Sequence, residues 1–176
     1  MKFTETQLKG AFILELEKRG DDRGFFARTW CQHEFQDHGL AAEVVQQNIS
    51  VSKDTGTLRG MHYQIAPHQE TKLIRCSKGA LYDVIIDLRP DSATYKQWLA
   101  FELTQDNYKM VYVPKDFAHG FMTLADDTEA TYLVSAFYAP NAERGIRYND
   151  SAFGIHWPLP VTTISDKDNT WPDYKD

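Results

Sequence analysis

The sequence predicts an all-β domain of sandwich or jelly-roll type with one or a few short helices. Short runs rich in β-branched and aromatic residues recur along the chain, separated by turn residues. One run alternates apolar and charged residues with a period of two. Aromatic residues reach 13%, a surplus that suits a β-rich fold or a ring-binding pocket.

In chain order the predicted strands are 11–17, 44–52, 57–64, 71–77, 80–89, 98–104, 109–113 and 128–138. The clearest alternation sets Tyr82, Val84, Ile86 and Leu88 against Asp83, Asp87 and Arg89, which predicts a strand with one apolar and one wet face. Only the stretch 30–38 reads as a helix, about two turns long, with Gly39 as its stop signal. The segment from Val113 to Phe121 reads as a proline-started loop, and Ile164 to Asp168 as a charged loop. No repeat, low-complexity tract or linker divides the 176 residues, so one domain over 1–176 is expected.

A formal charge of -6 argues against a nucleic-acid binder, which needs a basic stripe to displace phosphate counterions. An anionic ligand therefore has to meet a local basic cluster. Cys31 and Cys76 stand alone, with no metal-type spacing or disulfide framework, which fits a reducing cytoplasm. No long apolar run follows Met1-Lys2-Phe3-Thr4-Glu5, so neither a signal peptide nor a membrane span is expected.

The strand Thr57-Leu58-Arg59-Gly60-Met61-His62-Tyr63-Gln64 joins a cation, a histidine and polar groups. By parity His62 and Gln64 share a face and Arg59 points away, unless a bulge at Gly60 turns both Arg59 and His62 toward one pocket. By residue type alone Lys72 reads as a solvated surface lysine, and His62 as a hydrogen-bonded structural histidine. Tyr132 and Tyr138 are six apart, so a regular strand aims both rings at one face, whether as core or as site. Arg23 lies in a turn beside Phe25 and Phe26. Taken together, a histidine, a carboxylate to orient it, a phenol, a lysine, arginines and stacking aromatics form a set suited to proton transfer on a bound ring.

Six motifs in order carry a resemblance to a known family: 22–26, 46–48, 58–64, 114–121, Tyr132 with Tyr138, and 165–168. Over about residues 21–168 the chain resembles the dTDP-4-dehydrorhamnose 3,5-epimerases of the cupin superfamily. The resemblance implies a cupin-type jelly-roll barrel. It also implies a homodimer with exchanged strands, in which the Arg23 loop reaches a neighbour's site. By it, His62 corresponds to the general base, Asp168 to the carboxylate paired with it, and Tyr132 to the acid. Arg59, Lys72 and His119 correspond to pocket residues near the sugar and diphosphate. Arg23, Phe26, Arg28, Gln47, Asn48, Glu143 and Lys167 fall among nucleotide-sugar contacts, and Tyr138 corresponds to the ring stacked on the base. The chain departs from the pattern at Arg28, where many members have a glutamate linked to the base, and at Leu133, where a lysine is common.

The implied chemistry needs no metal or other cofactor. Protons at C3 and C5 of a 4-keto sugar flank a carbonyl, so removing either leaves an enolate with its charge on the C4 oxygen. A cation such as Lys72 in a partly dry barrel stabilises that charge. Inversion requires base and acid on opposite sides of the ring, roles that fall to His62 and Tyr132. Within the epimerase reading the alternative is a 3-only or 5-only epimerase acting on another nucleotide's 4-keto sugar, and two other classes are weaker fits. A metal-dependent cupin would draw on His62, His68, Glu70 and His119, but position 64 is Gln where a His-x-His pair is usual. A non-catalytic carbohydrate-binding jelly roll has no use for His62, Asp168 and Tyr132 together.

Overall fold

The computed structural model describes residues 1–175. Two antiparallel sheets face one another. The first runs in the order β1 (Lys2–Glu5), β2 (Phe12–Glu15), β10 (Met110–Val113), β7 (Lys72–Lys78), β12 (Thr128–Val134), β5 (Gln46–Ser52). The second is β13 (Glu143–Gly145), β6 (Thr57–Gln64), β11 (Phe117–Thr123), β8 (Ala80–Asp87), β9 (Trp98–Thr104), with the short β14 (Thr163–Ile164) added in parallel to β6. A separate hairpin pairs β3 (Arg19–Asp21) with β4 (Gly24–Phe26). Two short helices complete the chain, α1 (Gln32–Asp37) and α2 (Asp166–Asn169). This is the all-β jelly roll with few helices that the spacing of turns predicts.

The core between the sheets is built from alternate residues of facing strands, including Ile74, Leu81, Ile85, Val111, Phe117 and Phe121. A second cluster lies on the outer face of β8, where Val84, Ile86 and Leu88 pack under Phe153 and Trp157. Burying each such side chain contributes about 1.5–3 kcal/mol.

The wet face expected for β8 does not exist. Asp83 and Asp87 are both fully buried on the inward face, beside Leu81 and Ile85. Their charges turn inward because each finds partners there: His119 for Asp83, and Arg89, Ser92 and Thr94 for Asp87. The loop expected near His119 is also wrong. It is β11, buried along its whole length between β6 and β8, and its Phe-Ala-His-Gly-Phe-Met sequence hides the period of two because both faces are covered. The charged loop at 165–168 folds into α2, a single turn whose amide at Asp168 donates to the capping hydroxyl of Ser165 at 3.1 Å. The strand expected to run to Tyr138 ends at Val134.

Candidate active site

One cavity of about 410 Å³ opens between the sheets, lined by Arg59, His62, Lys72, His119, Tyr132 and Asp168 among others. It adjoins a second of about 320 Å³ that shares His62, Lys72 and Tyr132 and adds Asn48, Glu70, Tyr138 and Glu143. The three shared residues join the two into one groove, with exposed Tyr138 and its partner Glu143 at the rim.

Arg59 and His62 reach the same cavity through a bulge. Against β11, His62 pairs with His119 and Arg59 with Phe121, so Gly60 and Met61 together oppose the single residue Gly120. The extra residue reverses parity. Gly60 has φ +112, and a Cβ there would lie 2.6 Å from the Cα of Gly120; glycine is required on both counts. The bulge also frees the Gly60 amide, which donates to Asp168 Oδ2 at 3.1 Å.

Asp168 arrives from α2 and places Oδ1 2.6 Å from His62 Nε2. Burial opposes ionisation of this carboxyl, but the hydrogen bond and charge of His62 and the amide of Gly60 hold it below the usual aspartate range. An ionised carboxylate accepts only, so Nε2 carries the proton and Nδ1 keeps the lone pair. Nδ1 has no protein partner among the described residues. The imidazole is thereby set up as a base.

Tyr132 comes from β12 of the opposite sheet and borders both cavities. Burial, and then the charge of Glu70, push its phenol above the ordinary range, so it stays a proton donor at neutral pH. Lys72 is not the solvated lysine its type suggests. Its side chain is largely buried and ion-paired with Glu70, itself equally sheltered. Arg59 donates to Ser52 Oγ and to the carbonyl of Val51. His119 is buried, with Nε2 2.8 Å from Asp83 Oδ2.

At the rim, Glu143 Oε2 accepts from Tyr138 at 2.6 Å and from Lys167 at 2.5 Å. Burial opposes, yet these partners hold the Glu143 carboxyl below its usual range. Tyr138 shares the rim with Tyr132, but not through strand parity. It stands 59% exposed beyond the end of β12, on a stretch tied to buried Gln64 by a bond from the Ala139 amide at 2.7 Å.

Several expected contacts lie apart. Gln47 and Asn48 are neighbours on β5 and therefore face opposite ways: Asn48 lines the rim, while Gln47 borders a separate hollow with Trp30 and Arg75. Arg23 is almost fully exposed at the tip of the β3–β4 hairpin and is paired with Asp21 at 2.6 Å. Phe26 is 71% exposed on the same hairpin, and Arg28 is engaged with Glu34 at 2.7 Å. Within one chain none of these three lines the groove. Sequence reasoning missed Asp83, read as solvated, and weighed Glu70 only as a metal ligand. Their signal was position: Asp83 shares β8 with core residues, and Glu70 lies two residues before Lys72, the first residue of β7. His68 borders a different pocket beside Ile65 and Pro140, and among the described residues no three metal-type side chains cluster.

A barrel presenting a carboxylate-held imidazole and a half-buried phenol from facing sheets defines an acid–base enzyme. The comparisons specify which. The family model for dTDP-4-dehydrorhamnose 3,5-epimerase matches residues 5–176, and the chain belongs to that family of isomerases. It is 40% identical over 173 residues to the dTDP-4-dehydrorhamnose 3,5-epimerase of Sinorhizobium fredii, covering 98% of this chain and 89% of the relative. A crystal structure of the Bacillus anthracis enzyme with TDP and PPi bound superposes with a TM-score of 0.94 at 42% identity, covering 98% and 99% of the two chains. A 3'-monoepimerase from Streptomyces bikiniensis, in complex with dTDP-quinovose, superposes with a TM-score of 0.87 at 32% identity, covering 96% and 86%.

Proposed function

We propose that the protein epimerises C3 and C5 of a dTDP-linked 4-keto-6-deoxyhexose, taking dTDP-4-keto-6-deoxyglucose to dTDP-4-dehydrorhamnose, by proton transfer through an enolate. The observation that carries this reading is the pairing of His62 with Asp168 in a groove whose opposite wall holds Tyr132. His62 Nδ1 takes the proton from carbon, and the carboxylate of Asp168 stabilises the imidazolium that forms. The charge developing on the C4 oxygen falls to Lys72, whose ammonium is ion-paired with Glu70 at the groove. Tyr132, fed from the facing sheet, returns a proton to the other face of the ring.

The diphosphate suits Arg59, and the base suits the rim formed by Tyr138, Glu143, Lys167 and Asn48. Arg23, Phe26 and Gln47 serve the nucleotide across a homodimer. This is supported by the β3–β4 hairpin, which projects Arg23 and Phe26 into solvent while Phe25 is held edge-on to Tyr108 at 5.1 Å and beneath Lys18. It is also supported by Ile49 and Val51, each 58% exposed on edge strand β5, an apolar face that a second copy would cover. Among the described residues no helix is long and apolar enough to cross a membrane, and the reading places the enzyme in the cytoplasm.

Incubation with dTDP-4-keto-6-deoxyglucose in deuterated water tests the reading. Deuterium at both C3 and C5 of the product is expected. Label at C3 alone would make the protein a monoepimerase like its Streptomyces neighbour, and no label at either carbon would refute the proton-transfer mechanism.

A further inference from the structure

The carboxylate of Asp168 sits on a helix of four residues. A single turn does not hold itself in place, because nucleating a helix costs more than its first hydrogen bonds return. Asp168 must therefore be fixed from outside. On its N-terminal side the anchor is plain: β14 pairs with β6, and Ser165 caps the turn.

On its C-terminal side the anchor is Trp171. The indole lies directly over Gly145, where an added Cβ would come within 2.1 Å of Trp171 Cε2. Gly145 is the residue of β13 that stands opposite His62 in the register with β6. The ring that follows Asp168 is thus seated on the backbone partner of the histidine that Asp168 must reach. The indole N–H is buried with no hydrogen-bond partner among the described residues, so shape rather than polarity seats the ring. Lys167 lies 5.7 Å over the indole and at the same time binds Glu143, two residues before Gly145. Beyond the ring, Asp173 pairs with Arg147, and the Tyr174 amide donates to Asp150 at 2.7 Å.

We propose that Trp171, seated on Gly145, is a positioning residue that sets Asp168 against His62. The inference rests on the reading of Asp168 as partner of the base. Without the indole, α2 keeps its cap but loses the stop on its far side, and the carboxylate no longer has one position. Misplacement on the scale of an ångström costs on the order of a hundredfold in rate when a proton must be transferred along a defined line.

The test reads His62 directly, without substrate. Long-range proton–nitrogen spectra of the labelled full-length protein, with His62 assigned from a His62→Gln variant, report which ring nitrogen is protonated. In the native protein Nε2 carries the proton. Trp171→Ala is expected to lose that single tautomer and to lower kcat about tenfold to a hundredfold, with KM little changed, whereas Trp171→Phe retains both. Should Trp171→Ala fail to fold, Gly145→Ala displaces the ring and answers the same question. A Trp171→Ala protein that keeps the native His62 spectrum overturns the proposal whatever its activity. Asp168→Ala separates the two readings: if it scrambles the His62 tautomer yet leaves C3 and C5 exchange intact, the proposed function fails and the positioning stands.

Discussion

His62 and His119 face each other across the β6–β11 ladder, and each binds a carboxylate through Nε2. The two pairs differ in everything else. Asp168 comes from a one-turn helix 106 residues away, uses both oxygens, and leaves the His62 side chain 35% exposed at the groove. Asp83 comes from neighbouring strand β8, is fully buried, and has its second oxygen unpartnered among the described residues. The first pair joins distant parts of the chain and is open, the second joins neighbouring strands and is closed. An open imidazole with a free nitrogen can meet a substrate proton, while a closed pair fixes the interior of the barrel and stiffens the strand that carries His119.

The contrast between the two histidine pairs predicts that only the open one is indispensable for exchange. His62→Ala is expected to slow exchange of the C3 and C5 protons by about 10²–10⁴-fold, and Asp168→Ala to approach the same loss. Deuterium uptake followed by NMR measures both. Full exchange in His62→Ala would move the base to His119.

Tyr132→Phe should have the next largest effect and a different character. It keeps the ring and its packing between the sheets but deletes the donor. Exchange into recovered substrate is expected to continue, since the proposed base His62 lies on the other wall, while conversion to product stalls. Native turnover in this variant would make Tyr132 a packing residue and leave Tyr138, tied to Glu143 at the rim, as the candidate acid.

These assignments were legible to different depths. β6 and β9 match their predicted bounds because each has clear turn residues at its ends. Gly60 marks one place where a bulge fits, but parity and a bulge give opposite directions for Arg59, and only the register with β11 decides between them. What composition could not show was which way β8 faces. Alternation of apolar and charged residues marks two faces, but not which one meets water, and here the charged one turned inward. β11 was lost for the related reason that a strand covered on both faces has no alternation. Arg23, Phe26 and Arg28 lie close together in sequence yet stand outside the groove of their own chain, so their place in the sequence does not tell which surface they serve. The resemblance carried the pairing of His62 with Asp168, which spacing alone does not reveal.

Asp83→Asn sharpens the comparison from the closed side. The amide keeps the shape and can still bond His119, but the charge is lost. Exchange within about tenfold of native is expected, together with a loss of stability of about 1–3 kcal/mol, the scale for disturbing one buried hydrogen bond. Urea unfolding beside the exchange assay separates these. An exchange loss as deep as that of His62→Ala, at native stability, would show that the closed pair takes part in proton transfer.

The smallest effect isolates what a buried carboxylate needs, using Asp87 as a control on the same strand and face as Asp83. Burial opposes its ionisation, but hydrogen bonds from Arg89, Ser92 and Thr94 lower its pKa from 3.8 to about 2. A depressed folded pKa contributes stability that is fully present above the unfolded value and is lost as pH falls through the folded one. Asp87→Asn should therefore be less stable than the native protein at neutral pH, and the gap should narrow as pH falls from about 4 toward 2. Thermal midpoints taken across that interval measure it, with His62 and the groove untouched. A gap that stays constant with pH would mean that the ion pair with Arg89 is not what Asp87 contributes, and that its hydrogen bonds to the Ser92 and Thr94 hydroxyls hold the turn after β8 regardless of charge.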